Sequence, residues 1–529
     1  MFQNFKNCYL VGIKGVGMTA LAEILQKKGK IVSGSDTEEQ FFTDQILQKL
    51  GISFHEGFAA ENISDLSKEK DLIIYSTAYN PKLHPELKAA RKKKINLLSY
   101  PEAVSQLFND LYGIAVSGTH GKTTTSALLA QGLSSIGLDP IALIGSKVNG
   151  WKGNALAGIN PIFVIEADEY QDKLKFYDPW SIVLTNIDYD HPDYYLTEND
   201  YLQSFTHFVK KWLKKKNRWP KIIVLNADDP KTVSVIKKVG LEKKENIFFG
   251  LYGKENKELL LSQTQSDKDG RWSLKIEEKK QENFLELVLP VEKLLFPCRR
   301  ELTFKIKTQL IGEHNLYNLA SAVLFLVIFL FSLRKNNFLS KNKIRNRQLE
   351  DWLEAEISQQ KDQEKWLEDL VKLVEKAFEG FAGTERRFQL KGKKGRVTVF
   401  DDYAHHPAEV QATLRAIKAN FPKQEIWVVF HPHTFSRTQT FLADFGKSFS
   451  EADKIGVLEV YSSAREEKGK VTSRDIVELL EKEGKNAIYL KDQPAAIAWL
   501  KESRFTKPTI IITMGAGDCW RVGEEWLKR

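Results

Sequence analysis

The sequence predicts an α/β protein of three domains, and three observations carry that expectation. Short β-rich runs alternate with helical stretches over the first hundred residues. The alternation restarts at Tyr112 around a glycine-rich turn, and again near Gly383 after a strongly charged stretch. Strands alternating with helices build parallel sheets with crossover helices. A chain of 529 residues accommodates three or four domains at roughly 150 residues each. Its 42% hydrophobic content supplies several cores. The expected division is residues 1–111, 112–380 and 381–529, with a charged insertion near 334–365.

In the first segment, residues 8–13 (CYLVGI) read as a strand, 18–29 (MTALAEILQKKG) as a helix and 31–36 (IVSGSD) as a second strand. Residues 71–78 (DLIIYSTA) form a later strand, followed by a helix over 85–94. In the second segment, GIAVSG is a strand, GTHGKTTT a turn and SALLAQGLSSIG a helix closed by glycine. FVIEAD, SIVLTNID and KIIVLNADD follow as strands. Residues 253–282, rich in Lys, Glu, Gln and Ser, read as peripheral. The third segment brings VTVFDDYA, EIWVVFHPH, KIGVLEVY and TIIITMGAG. The apolar run 319–333 has 15 residues, short of the about 20 that span a bilayer, so a buried helix is expected. The insertion (RKNNFLSKNKIRNRQLEDWLEAEISQQKDQ) has the spacing of exposed helices.

Composition narrows the function classes. Three well-separated cysteines, Cys8, Cys298 and Cys519, form neither a disulfide framework nor a metal-ligand spacing. Together with a first stretch that lacks the order of a signal peptide, they lead us to expect a cytoplasmic protein without a membrane partner. The net charge of +9 is read as a solvated surface. No basic module with interleaved aromatics marks a nucleic-acid partner. The sequence leaves the oligomeric state open.

The chemistry is concentrated in turns that follow strands. Gly118-Thr119-His120-Gly121-Lys122-Thr123-Thr124 opens a helix, so its backbone N–H groups and the helix field favour phosphate. Lys122 would reach the terminal phosphates and Thr123 would offer its hydroxyl to Mg²⁺. The usual phosphate-loop pattern wants a glycine at position 116, which is Val116, so the turn is a shortened variant. Gly12, Gly15 and Gly17 lie between the first strand and helix, and Asp36 ends the next strand. That layout admits a diphosphate and offers a carboxylate to a ribose. Two such sites suggest ATP in one and a nucleotide-linked substrate in the other. Glu166-Ala167-Asp168-Glu169 ends a strand and offers acids to Mg²⁺. His191, at the end of TNIDYDH, is a further candidate ligand. Asp401-Asp402-Tyr403-Ala404-His405-His406-Pro407 concentrates acids and imidazoles that are costly to bury idly. In His431-Pro432-His433-Thr434-Phe435-Ser436-Arg437, the planar fork of Arg437 suits a carboxylate. Taken singly, each motif has a plainer reading as a capped turn or a surface charge.

In order along nearly the whole chain, GTHGKTTT, EADE, TNIDYDH, GEHNLYN (residues 312–318), ERRF (385–388) and DDYAHHP resemble the Mur ligase family, which extends the peptide stem of the cell-wall precursor. VGIKGVGMTALAEIL, VSGSD, HPHTFSRT and MGAGD are most similar to the family member that joins L-alanine to UDP-N-acetylmuramate. The resemblance implies an N-terminal Rossmann-like domain for the UDP-sugar, a central P-loop ATPase-like parallel sheet and a C-terminal Rossmann-like α/β domain. It implies ATP and Mg²⁺ as cofactors, and an acyl phosphate between carboxylate and amide. Lys122 and Thr123 would hold phosphate and Mg²⁺, with Glu166 and His191 at the metal and Asn315 and Asn318 beside adenine. Arg387 and Asp402 would be brought toward ATP by the third domain. Tyr403, His405, His433 and Arg437 would lie near the amino acid and the muramoyl carboxylate. Gly12, Gly15, Gly17, Asp36 and Ser76 would serve the UDP-sugar.

Three departures bear on these roles. Lys14 stands where glycine is usual, and could add a diphosphate contact or crowd it. Thr434 replaces a basic residue. The insertion lengthens the path from Asn318 to Arg386 and is expected at the surface. Two other readings compete: a ligase that attaches a whole tripeptide during cell-wall recycling, and a nucleotide-binding regulatory protein without ligation.

Overall fold

The structure, a computed structural model, describes residues 5–216, 218–241, 247–254, 271–277, 284–290, 301–336, 338–342, 344, 346–355, 359–461 and 469–528. Three sheets lie in sequence along the chain, each with helices between its strands, so the α/β expectation holds.

The first sheet is parallel, in the order β3-β2-β1-β4-β5. It comprises β1 (Asn7–Val11), β2 (Ile31–Asp36), β3 (Ser53–Glu56), β4 (Asp71–Tyr75) and β5 (Asn96–Ser99). Strand order reverses between β1 and β4, the point where doubly wound sheets open a crevice at their carboxyl ends. The helix Val16–Lys27 turns Met18, Leu21, Ala22 and Leu25 inward, at the spacing of one helical face. The helix Tyr100–Asn109 starts at a capping box in which Glu102 Oε2 accepts from Ser99 N at 2.8 Å.

The second sheet has ten strands in the order β15-β14-β13-β12-β11-β10-β6-β9-β7-β8. These are β6 (Tyr112–Ser117), β7 (Ile141–Leu143), β8 (Ala155–Ala157), β9 (Ile162–Glu166), β10 (Ser181–Leu184), β11 (Ile222–Asn226), β12 (Phe248–Gly253), β13 (Arg271–Glu277), β14 (Phe284–Pro290) and β15 (Glu301–Lys307). Its middle strands are near-continuous apolar runs, as strands covered on both faces require. One cover is the helix Glu313–Asn336. By length and composition it could cross a membrane, yet 89% of its most apolar stretch is buried within the fold. Ala320 and residues 322–330 are almost wholly inaccessible.

Two expectations need correction. The insertion does not lie wholly on the surface. Its helix Arg347–Glu354 buries Leu349 and Leu353 in the central core, beside the helix Gln360–Phe378, which starts in the insertion and, just beyond it, buries Trp366, Leu367 and Leu370. Trp352 stacks on Trp366 at 4.7 Å between ring centroids. Charged residues mask an apolar stripe at helical spacing, and that stripe packs. Residues 253–282 are likewise not simply peripheral. Positions 255–270 and 278–282 lie outside the described residues, but β13 buries Leu274 and Ile276.

The third sheet runs β16-β17-β21-β18-β19-β20, with only β16 antiparallel to its neighbour. Its strands are β16 (Gln389–Lys394), β17 (Val397–Asp402), β18 (Glu425–His431), β19 (Lys454–Leu458), β20 (Ala487–Leu490) and β21 (Thr509–Gly515). The apolar cores are arranged asymmetrically. One buried cluster runs from Leu10, Ile13 and Leu21 of the first domain into Ile141, Phe163 and Ile223 of the second. The third domain has separate clusters on the two faces of its sheet.

Candidate active site

The loops after β6, β9 and β10 converge at the carboxyl end of the central sheet. β6 delivers the turn 118–121 and the helix Lys122–Ser135. Gly121 is in the left-handed region (φ +81°), and a Cβ there would lie 2.2 Å from Asn318 Oδ1, so only glycine fits. Asn318 in turn donates to Asn315 Oδ1 at 3.1 Å, and Asn315 donates to the Ile311 carbonyl at 2.7 Å. Both asparagines are thereby fixed beside the turn. Thr119 and Thr124 are buried, and Thr119 Oγ1 donates to the Asp188 carbonyl at 2.8 Å.

Lys122 folds back over its own loop. Its Nζ donates to the carbonyls of Gly118 (2.6 Å) and Thr119 (2.9 Å) and pairs with Glu169 Oε2 at 2.8 Å. Burial disfavours this ammonium, but Glu169 and Asp168 more than offset it and raise its pKa. Thr123 Oγ1 donates to Glu166 Oε1 at 3.0 Å, and Glu166 Oε2 accepts from Gly145 N. His191, at φ +58°, lies 3.6 Å from Glu169 Oε1. The predicted cation ligands therefore fall into two groups. Thr123 and Glu166 form one, and His191 with Asp168 and Glu169 forms the other. The first group's hydroxyl and carboxylate oxygens, with the carboxylates of the second, are hard donors that fit Mg²⁺.

The third domain closes over this surface. Arg387 Nη2 donates to Thr123 Oγ1 at 3.4 Å, and Nη1 lies 3.8 Å from Glu409. His120 spans the same gap, with Nδ1 3.1 Å from Glu409 Oε1 and Nε2 3.1 Å from Asp188 Oδ2. Burial lowers its pKa, but the two carboxylates raise it to about 9. His120, Asp188 and His406 are close enough to hold a metal ion. Through its two ring nitrogens His120 also links Asp188 of the central domain to Glu409 of the third. Asp402 accepts from Thr413 Oγ1 at 2.6 Å, and burial pushes its carboxyl up to about 6. Between the domains lies a cleft of about 1240 Å³, walled by His120, Gly121, Thr124, Asn315 and Asn318 on one side and by Arg387, Asp402 and Glu409 on the other.

The remaining predicted residues of the third domain gather elsewhere, around a buried arginine. Arg437 makes a two-pronged contact with Asp190 of the central domain, and its Nη1 meets His433 Nδ1 at 2.8 Å. The carboxylate its fork finds here is the protein's own. The ring of His405 lies 5.7 Å from that of His433 and 5.2 Å from that of Tyr403. Burial and the nearby Arg437 depress His405 to about 3, so it is neutral. Tyr403 lies under both Arg386 and Arg387. Thr434 adopts φ +64° at the start of the short helix Phe435–Thr440.

In the first domain, Gly12 and Ser76 follow β1 and β4, side by side at the crevice, and the Tyr79 ring closes over Gly12. Gly15 and Gly17 enter the first helix, with Tyr100 against Gly17. Asp36 Oδ2 accepts from Lys14 N at 2.6 Å and Oδ1 from Thr37 N at 2.8 Å. The Lys14 side chain neither reaches nor crowds the glycine turn. It is fully buried, directed toward Asp44 and Glu56.

Sequence reasoning gave no separate role to Glu169, Asp188, Asp190 or Glu409. Glu409 sits three residues after His406 in a capping box, a legible local signal. Its reach to His120, 289 positions away, is not.

A glycine-rich turn at a helix N-terminus, acids beside it, and an arginine from the third domain facing it are the equipment of an ATP-dependent ligase. The chain belongs to the Mur ligase family. The family's catalytic domain matches residues 7–112, its middle domain 116–326 and its glutamate ligase domain 386–517. The chain is 31% identical to UDP-N-acetylmuramate–L-alanine ligase of Acetivibrio thermocellus over 526 residues, 99% of this chain and 96% of the relative. It is 32% identical to the enzyme of that name from Caldanaerobacter subterraneus subsp. tengcongensis, over 99% of this chain and 98% of the relative. The fold is similar to that of UDP-N-acetylmuramate-alanine ligase from Thermotoga maritima (TM-score 0.64, 23% identity, 99% and 98% of the two chains covered). It is also similar to a murein peptide ligase from Psychrobacter arcticus (TM-score 0.59, 20% identity, 99% and 98% covered).

Proposed function

We propose that this chain uses ATP to join L-alanine to the carboxylate of UDP-N-acetylmuramate, a cytoplasmic step in the making of peptidoglycan precursors without nucleic-acid or membrane partners. The observation that carries the reading is the approach of Arg387 to Thr123 beside Glu166, which sets a third-domain cation over the phosphate turn. The names and full-length coverage of the relatives support the substrate pair. Residues 1–111 would take the UDP-sugar, 112–380 the nucleotide, and 381–529 would close over both.

The reaction moves negative charge. A muramoyl carboxylate oxygen bonds to the γ-phosphorus as the bond to ADP breaks. The amine of L-alanine then bonds to the acyl carbon, the acyl–phosphate bond breaks, and the amine gives up a proton. Lys122, freed from Glu169, would reach the phosphates, and the N–H groups of the turn would stabilise the charge that develops there. Arg387 adds a second cation, and Asp402 faces the same cleft. Mg²⁺ ions, held by Thr123 and Glu166 in one group and by His191 in the other, would offset phosphate charge and polarise the transferred group. Asn315 and Asn318 would border the adenine. Tyr403, His405, His433 and Arg437 would position the amino acid and the reacting carboxylate.

The test is phosphate release from ATP and UDP-N-acetylmuramate with L-alanine, glycine, L-serine or a stem tripeptide, with the amide identified by mass. Strongest release with L-alanine supports the reading. Release only with the tripeptide moves the chain to the recycling activity, and no release with any amine sinks the assignment.

A further inference from the structure

Lys14 is among the most thoroughly buried charged side chains in the molecule, with a side-chain exposure of 0%. Every polar part of it is used. Its backbone N–H donates to Asp36 Oδ2 at 2.6 Å, and its carbonyl accepts from Thr43 Oγ1 at 2.6 Å. Its ammonium donates to the carbonyls of Thr37 and Glu39, each at 3.0 Å, and pairs with Asp44 at 3.0 Å and Glu56 at 3.4 Å. The Nζ also lies 5.2 Å from the centre of the Phe54 ring.

These partners have a common location. Thr37, Glu39, Thr43 and Asp44 belong to the segment that follows the carboxyl end of β2, immediately after Asp36. Glu56 ends the neighbouring strand β3. The carbonyls of Thr37 and Glu39 both accept from this buried ammonium, whose own charge would be costly to leave unpaired. One ammonium with three donors answers both carbonyls and a carboxylate, which a neutral side chain could not do. The segment is thereby held next to Asp36, whose Oδ1 faces the hydroxyl of Tyr79, the residue whose ring closes over Gly12. Lys14 N holds one oxygen of Asp36, while the other faces Thr37 N and the Tyr79 hydroxyl.

The geometry points to Lys14 as a positioning residue for the UDP-sugar site: it touches no substrate, but its backbone N–H holds Asp36 and its ammonium holds the segment 37–44 that follows Asp36. The inference rests on the proposed function of that crevice. A merely structural lysine would affect all ligands through the folded fraction. A positioning lysine affects one ligand selectively, as a change in KM for the UDP-sugar without a matching change in kcat or in KM for ATP.

The variant is Lys14→Met, similar in length and neutral. The measurements are titration calorimetry with UDP-N-acetylmuramate and with ATP, and steady-state kinetics varying each. The expected result is a rise of about tenfold or more in Kd and KM for the UDP-sugar, the scale of losing one charge-assisted hydrogen bond, with ATP values within about twofold. Equal affinity for the UDP-sugar in a folded variant overturns the inference alone, as does an equal weakening for both ligands. A wild-type protein that does not bind UDP-N-acetylmuramate overturns both the inference and the function it rests on. Should Lys14→Met fail to fold, Asp44→Asn at a more accessible position gives the same readout. A selective rise of about threefold supports the inference, and no selective rise overturns it.

Discussion

Arg437 and Asp190 meet through two parallel hydrogen bonds, Nε to Oδ1 at 2.9 Å and Nη2 to Oδ2 at 3.1 Å, across the boundary between the third and central domains. Both side chains are almost wholly buried. Asp190 is held well below the usual carboxylate range, because the Arg437 guanidinium more than outweighs burial. A buried pair of this geometry is costly to break one partner at a time, at about 3–5 kcal/mol. In a double-mutant cycle on kcat/KM, Arg437→Ala and Asp190→Ala should be non-additive by about 1–3 kcal/mol. Additive losses would mean that the two act independently and that the contact does not govern closure.

Removing the Lys122 ammonium should lower turnover by about 10²–10³-fold, the cost of one well-placed charge-stabilising donor. Lys122→Ala leaves the buried Glu169 carboxylate without its cation, so turnover is to be compared per folded molecule. Near-normal turnover in the folded variant would rule out Lys122 as the phosphate cation.

His120 links pH to the interdomain bridge. Its folded pKa is raised to about 9 from an ordinary 6.5, with the pull of Asp188 and Glu409 outweighing burial. A base whose pKa is raised in the folded state contributes its stability in full below about pH 6.5 and loses it as pH rises through about 9. The unfolding midpoint of ligand-free wild type should therefore fall relative to His120→Asn across that window. Parallel pH profiles for the two proteins would contradict the bridge.

Trp366, just past the insertion, tests its packing through Trp352. Its indole is buried against Trp352 and Phe331. Trp366→Ala should cost about 3–5 kcal/mol of stability, read by urea unfolding, while turnover per folded molecule stays near wild type. A loss below about 1 kcal/mol would return these helices to the surface role expected from their charge.

What the sequence made legible was local. Strand–turn–helix punctuation placed the Gly118–Thr124 turn, and the apolar runs placed β6, β9, β10 and β17, because both signals sit within a few residues of the structure they cause. The buried fate of residues 319–333 followed from length. The charged helices after Arg334 misled, because Trp352, Leu353, Trp366 and Leu370 are outnumbered by charges although they form one face. Lys14 misled for another reason: a side chain beside a glycine turn can point either way, and its direction is set by Asp44 and Glu56, on other elements. The partner of Arg437 was equally out of reach, since the choice between a ligand's carboxylate and Asp190 is made only when two domains meet.

The uneven sharing of cores gives the molecule two seams of different character. The first two domains are welded by a continuous oily interior running from Leu10 to Ile223. Arg437–Asp190, His120–Glu409, Lys147–Glu385 and Arg387–Thr123 stitch the third to them with charge. Heat and denaturant act on the first seam, whereas the second depends on each buried charge keeping its partner. Added salt reaches the exposed Lys147–Glu385 pair far more than the buried Arg437–Asp190 pair, so the third domain should stay docked in salt and come loose when Arg437 or Asp190 alone is neutralised, while the other two still melt as one body.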